Sequence, residues 1–238
     1  TDLKTKGFEL ELMWRDQILN DLNYSLRFVL SDAQGVITSY SNPSETLSQY
    51  YEGMKWGQFW GYETIGIAKS QEEMDDHLAT LTNGGQSNLG SDWQAGDIMY
   101  RDLDGNGKID TGSNTINDHG DLKVIGNADW KGLDFRLFLQ GTAKRQYFQN
   151  SLYFWGSTHS GRWNSMGLTQ HEDYFRDDPN HPMGLNLDGY YSRPLWGTGK
   201  NQQMQSRYVQ DAAYMRIKNL QVGYTLPSLL TKKVGISK

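Results

Sequence analysis

Gly7-Phe8-Glu9-Leu10-Glu11-Leu12-Met13-Trp14-Arg15 alternates along its whole length. Phe8, Leu10, Leu12 and Trp14 fall on one face. Glu9, Glu11, Met13 and Arg15 fall on the other. Successive side chains of a strand point to opposite faces, so the stretch predicts a β-strand with one apolar and one mostly polar side. A short polar connection over residues 16–21 follows. Residues 22–31 then alternate again, with Leu22, Tyr24, Leu26, Phe28 and Leu30 against Asn23, Ser25, Arg27, Val29 and Ser31. Two such strands joined by a short link form an antiparallel hairpin. Periodicity alone leaves two homes for the apolar face: a soluble core, or lipid with the charged face turned to a watery lumen.

Composition narrows the classes. The 238 residues have room for one large β domain or two small ones. The chain holds 26 Gly, 14 Tyr and 8 Trp but only 5 Pro, with 13% aromatics and a mean hydropathy of −0.71. That pairing suits a β protein with aromatic surfaces, such as a sugar-binding sandwich or an outer-membrane barrel. No run approaches the roughly 18 apolar residues of a transmembrane helix. A barrel strand needs only about 9–11 residues with alternate ones apolar, so low hydropathy is compatible with a membrane. The absence of cysteine rules out disulfides and thiolate metal sites. A net charge of −5 argues against a nucleic-acid partner. Thr1-Asp2-Leu3-Lys4 carries no signal peptide and reads as a cut end rather than a native start.

A second stretch carries chemistry: Asp102-Leu103-Asp104-Gly105-Asn106-Gly107-Lys108-Ile109-Asp110. Oxygen-bearing side chains alternate at Asp102, Asp104 and Asn106, and Asp110 follows. This is the spacing of a loop around Ca²⁺, which takes roughly 6–8 oxygens at about 2.3–2.6 Å. The candidate ligands are Asp102, Asp104, Asn106, Asp110 and the backbone carbonyl of Lys108. Gly107 falls at the sharp turn, and Ile109 would anchor the loop to a core. The twelfth position is Ser113 rather than the bidentate Glu of an EF-hand; Asp118 or Asp121 could supply the missing oxygen. The competing reading is an Asx-rich surface turn that holds no metal.

Between the hairpin and this loop, residues 32–96 lose the alternation, and a connection of that length is usually functional. It carries Tyr50, Tyr51, Trp56, Phe59, Trp60 and Tyr62. Ser70-Gln71-Glu72-Glu73 is a capping box, Met74, Leu78 and Leu81 share a helical face, and Asn83-Gly84-Gly85 is a stop signal. A short helix of about three turns is therefore expected on the loop. Further on, residues 133–140 alternate, with Leu133, Phe135, Leu137 and Leu139 on one face, and Gly141 ends the run. Residues 144–154 read as the next strand. Residues 157–205 form a second long excursion, with Trp163, Tyr190, Tyr191 and Trp196 and with Trp155 at its edge. Residues 207–227 read as two β segments whose apolar phases differ, so a bulge or turn is expected near Lys218-Asn219. Aromatic faces can bind sugar rings or pack loops; Trp56, Trp60, Trp163 and Trp196 are the candidate substrate contacts.

Catalytic signatures are missing: there is no GxSxG, HExxH, Walker loop or dinucleotide fingerprint. His171-Glu172-Asp173, Asp177 and Asp178 are acidic loop residues without the fixed partner spacing that hydrolysis requires. No enzyme activity is expected.

Several stretches resemble one family. They are residues 5–12 (TKGFELEL), 59–64 (FWGYET), 96–110 (GDIMYRDLDGNGKID), 124–127 (VIGN) and 208–227 (YVQDAAYMRIKNLQVGYTLP). In this order they are similar to the SusC/RagA family of TonB-dependent outer-membrane nutrient importers of the Bacteroidetes. The resemblance implies an antiparallel transmembrane β-barrel of about 22 strands with a plug in its lumen. Residues 1–238 would be a C-terminal part of that barrel, without the plug and without the first and last strands. The long excursions would be extracellular loops, one carrying the short helix, and residues 16–21 a periplasmic turn. The implied partners are TonB, a SusD-like surface lipoprotein acting as a lid, outer-membrane lipid, and glycan or peptide cargo. After Val124-Ile125-Gly126-Asn127 the family usually has a further strand, where this chain passes straight into Ala128-Asp129-Trp130-Lys131-Gly132. The remaining alternative on residue patterns is a soluble Ca²⁺-dependent carbohydrate-binding module.

Overall fold

The computed structural model describes residues 1–18, 22–112, 115, 116, 120, 123–126, 130–134, 137–157 and 167–220. In chain order the elements are β1 (Asp2–Ile18), β2 (Leu22–Ser39), β3 (Phe59–Gly61), β4 (Thr64–Ile67), α1 (Gln71–Thr80), β5 (Ile98–Tyr100) and β6 (Lys123–Gly126). They continue as β7 (Trp130–Asp134), β8 (Leu137–Thr142), β9 (Gln146–Phe148), α2 (Leu152–Trp155), β10 (Val209–Asp211) and β11 (Tyr214–Leu220). Among the described residues, the 3₁₀ turns Thr169–Glu172 and Ser206–Tyr208 lie between α2 and β10. The fold is all-β with two short helices, and no helix among the described residues is long and apolar enough to cross a membrane.

The chain divides into two compact units. The sheet unit takes residues 7–33, 129–143 and 213–238. Its one sheet has the order β1-β2-β7-β8-β11. Residues 2–16 of β1 are all exposed, with Phe8 at 49%, Leu10 at 40%, Leu12 at 55% and Trp14 at 60%. Across the polar face, Arg27 Nε meets Glu11 Oε1 at 2.9 Å. Both faces of β1 are thus open over these residues, and among the described residues the unit has no second sheet.

Two strand assignments need correction. Residues 133–140 are not one strand but parts of two: β7 and β8 pair antiparallel, with Leu133 opposite Leu139 and Asp134 opposite Phe138. Both arms keep the same period-two alternation, so the sequence pattern could not reveal the division. The reversal makes Trp130–Asp134 a strand against β2, with Asp32 opposite Trp130. Residues 144–154 hold only the three-residue β9 before α2 begins. Asn150 and Ser151 stop the strand there: Trp155 Nε1 donates to Asn150 Oδ1 at 2.9 Å, and Phe154 N donates to the Ser151 carbonyl at 3.0 Å. The predicted irregularity near Lys218 is present, because the β11–β8 register shifts between Ile217 and Asn219.

The loop unit takes residues 1–6, 34–128 and 144–212. The two excursions are therefore not bare loops but a folded body with its own core. Tyr62, Ile67, Leu81, Ile98, Tyr100, Ile109, Phe154, Trp155, Phe175, Tyr191 and Tyr208 pack together. Three small antiparallel ladders frame it: β3 with β6, β4 with β5, and β9 with β10. β5 is buried at all three positions. Gly96, just before it, sits at φ +86°, and a Cβ there would collide with the Phe175 ring; glycine is the residue that tolerates both.

Helix α1 starts where the capping box places it. Ser70 Oγ accepts from Glu73 N at 3.1 Å, while Glu73 Oε2 accepts from Lys69 N at 2.6 Å, one residue upstream of the standard reciprocal partner. The helix ends at Thr80, before the glycine signal, with Leu81 N donating to Leu78 O at 3.1 Å. Met74 is fully buried and Leu81 nearly so, which confirms the apolar face.

Candidate functional site

Residues 102–110 form a tightly self-bonded turn. Both Asp102 oxygens accept amides, Gly105 N at 2.7 Å and Gly107 N at 2.8 Å. Asp104 accepts Asn106 N and Asn106 Nδ2, each at 3.0 Å. Asn106 Oδ1 takes Lys108 N at 3.0 Å. Asp110 accepts Gly112 N at 2.7 Å and meets Lys108 Nζ at 2.6 Å. Burial works against the charged form of Asp102, but the Gly107 and Gly105 amides outweigh it and hold its pKa below the ordinary carboxylate range. Among the described residues no group of three or more His, Asp or Glu side chains is gathered to hold a metal. Ser113, Asp118 and Asp121 lie outside the described residues. Ile109 is fully buried in the core, as expected of the anchor. The turn is clipped to the segment after α1: Asn83 N donates to Gly107 O and Ile109 N to Gly85 O, both at 2.7 Å.

Asp97, which no sequence pattern marks, has two cationic partners. Its side chain is fully buried. Arg193 grips it at two points, Nε to Oδ1 at 2.6 Å and Nη2 to Oδ2 at 2.8 Å. Lys200 Nζ lies 2.8 Å from Oδ2. Asn201 Nδ2 and Gln94 N each donate at 2.9 Å. Burial pushes the Asp97 pKa up, but Arg193, Lys200, Asn201 and the Gln94 amide together bring it below the usual value. Lys200 also donates to the Ser91 and Asp92 carbonyls at 2.9 Å and lies 4.6 Å from the Trp93 ring centroid. Two buried glutamines extend the network. Gln86 accepts from Tyr100 N at 2.6 Å and donates to Ile98 O at 3.1 Å; Gln205 donates to Asn201 O at 2.9 Å. This network ties the first excursion to the second across about a hundred residues of chain. Only the burial of Asp97, which sequence periodicity does not report for a loop residue, would have flagged it.

The candidate aromatics separate. Trp56 is 55% exposed and stacks on Tyr50 at 5.6 Å and 24°, with the Tyr40 edge 5.7 Å from Tyr50. Trp60, in β3, is partly buried against the core. Trp163 lies outside the described residues. Trp196 is 56% exposed at a cavity of about 700 Å³ lined also by Trp155, Leu168, His171, Glu172, Tyr174 and Pro194. His171 is held from both sides: Nδ1 accepts from Leu168 N at 3.0 Å, and Nε2 faces the Tyr153 and Phe154 carbonyls at 3.0 and 3.1 Å.

No protein-family model matches the chain. Over 260 aligned positions it is 27% identical to TonB-dependent receptor P3 of Formosa agariphila; the alignment takes in 99% of this chain and 23% of that protein. The chain thus spans less than a quarter of its relative's length. This similarity supports a place among TonB-dependent receptors.

Proposed function

We propose that the chain is part of an outer-membrane nutrient importer of the SusC/RagA type, energised through TonB. The observation that carries this is the hairpin's exposed apolar face. Phe8, Leu10, Leu12 and Trp14 are exposed along one strand of the five-stranded sheet, as lipid-facing positions of a barrel are. The similarity to a TonB-dependent receptor supports the same reading. β1 has 17 residues, which at about 3.3 Å each reach about 56 Å. Residues 1–6 fall in the loop unit. The apolar band from Phe8 to Trp14 would sit in lipid. In this reading the loop unit stands on the extracellular side, under a SusD-like lipoprotein, on the path of glycan or peptide cargo.

The 102–110 loop serves as a structural clip on that unit. Ca²⁺ would be held by Asp102, Asp104, Asn106, Asp110 and the Lys108 carbonyl, and would add an electrostatic tie to a turn already closed by its own amides. A soluble carbohydrate-binding module would leave the Phe8–Trp14 face in water, at about 25 cal/mol for each Å² of apolar surface.

The test is uptake by cells that carry the intact protein, with and without a functional TonB system. The reading expects the protein in outer-membrane fractions and cargo accumulation that stops without TonB. A soluble protein, or uptake indifferent to TonB, would overturn it.

A further inference from the structure

We propose that Asn83–Gly84 is a site of spontaneous deamidation, and that Asp102 shields the second Asn–Gly pair, Asn106–Gly107, from the same reaction. The sequence holds these two Asn–Gly pairs, and the fold brings them together. Asn83 N donates to Gly107 O at 2.7 Å, and Asn83 Nδ2 donates to Asn106 O at 3.3 Å. In the reaction, the backbone nitrogen after the asparagine gives its proton to water and attacks the side-chain Cγ. The new C–N bond forms, the Cγ–Nδ2 bond breaks, and the amide group takes a proton from water and leaves as ammonia. Water then opens the cyclic imide at either carbonyl, to aspartate or isoaspartate. Glycine favours the attack because it has no Cβ to obstruct it.

The two glycine nitrogens differ. Asn83 and Gly84 are exposed. Gly84 sits at φ +114°, and a Cβ there would meet only Ser87 Oγ, at 3.6 Å. Among the described residues no acceptor takes the Gly84 N–H. Gly107 is buried, and its N–H goes to Asp102 Oδ2 at 2.8 Å. A carboxylate so placed opposes loss of that proton. The other Asp102 oxygen holds Gly105 N at 2.7 Å, the nitrogen that follows Asp104. The product has consequences because the two segments pack closely. Aspartate at position 83 has no amide to give Asn106 O. Isoaspartate lengthens the backbone where a Cβ on Gly107 would already lie 2.9 Å from Thr82 Oγ1 and 3.0 Å from Asn83 N. Either product loosens the clip that Asn83 N to Gly107 O and Ile109 N to Gly85 O make. Deamidation at Asn83 is thus a one-way loosening of the Ile109 anchor.

The experiment ages the intact protein in detergent, in warm, mildly alkaline buffer with EDTA, and follows peptide mass and isoaspartate at each asparagine. Asn83 should gain the mass of an acid over an amide, in aspartate and isoaspartate forms. Asn106 should convert at least about tenfold more slowly. In urea, where the fold is gone, the two should convert at similar rates. Asp102→Ala should speed Asn106 conversion about tenfold or more and leave Asn83 conversion unchanged. Amide exchange at Ile109 should be about fivefold or more faster in aged than in fresh wild type. Asn83→Gln, whose longer side chain closes an imide ring far more slowly, should show no such change on ageing. The inference is overturned if folded Asn83 stays an amide while the urea-unfolded chain converts, or if folded Asn106 converts as fast as Asn83. It is equally overturned if the difference persists in urea, if Asp102→Ala leaves Asn106 conversion at the wild-type rate, or if Ile109 exchange ignores ageing.

Discussion

Replacing Asp97 by Asn should release the contact between the two excursions. The substitution keeps the shape and removes the charge. It leaves Lys200, 3% exposed at its side chain, and Arg193, 23% exposed, facing each other without a counter-ion. Removing one partner of a buried pair costs about 3–5 kcal/mol. The lower end applies, because Arg193 can reach water and Lys200 keeps its two carbonyl acceptors at Ser91 and Asp92. About 3 kcal/mol is roughly a 150-fold rise in local opening. Amide exchange reads this directly. The amides to follow are Gly96, Ile98 and Arg193, which donate to Ala68 O, Asn201 Oδ1 and Gly96 O. Protection there should fall by about two orders of magnitude in intact protein, with the β8–β11 ladder unaffected. A change under about tenfold at all three would refute the claim that Asp97 holds the unit together.

The pH dependence follows from the sign of the Asp97 shift. Its folded pKa is lowered, so its contribution is complete above the unfolded value near 3.9 and is lost only as pH falls through the folded pKa. Wild-type protection at Ile98 should therefore hold level from neutral pH to about pH 5, while Asp97→Asn should show no Asp97-linked loss in strong acid. Ser70→Ala removes the cap on Glu73 N and should cost about 1 kcal/mol, seen as roughly fivefold faster exchange in the first turn of α1. Asp102→Ala with Asp104→Ala removes the bonds to the Gly105, Asn106 and Gly107 amides under both conditions, and should lower thermal stability further in Ca²⁺ than in EDTA if the loop binds the ion. Equal loss in both would mean that the carboxylates act only on the amides of Gly105, Asn106 and Gly107.

How much of this was legible beforehand depended on whether a signal was local. The β1 alternation, the Ser70 cap and the phase slip near Lys218 are read from neighbours in sequence, and each appears in the structure. The β7–β8 division was hidden because both arms keep the same alternation. The strand expected at 144–154 gave way to a side chain–to–side chain bond from Trp155 to Asn150. At the site, Ile109 was placed as an anchor by its position in the acidic loop, and it is buried. Asp97, Arg193 and Lys200 were invisible as a group because they are brought together across about a hundred residues, and no period encodes such a contact. The cavity at Trp196 is likewise assembled from α2, a 3₁₀ turn and the 194–196 segment, so its lining could be found only after folding.

The central claim is that one face of the first hairpin lies in lipid. The chain has no cysteine, so single cysteines at positions 8 to 14 of β1 can be spin-labelled without background from its own residues. Intact protein in lipid vesicles is then probed for collision with oxygen, which concentrates in lipid, and with a water-soluble nickel chelate. The account predicts a period of two: oxygen access high at Phe8, Leu10, Leu12 and Trp14, and nickel access high at Glu9, Glu11 and Met13. Loss of that alternation, or shielding of Leu10 and Leu12 from both reagents, would contradict it.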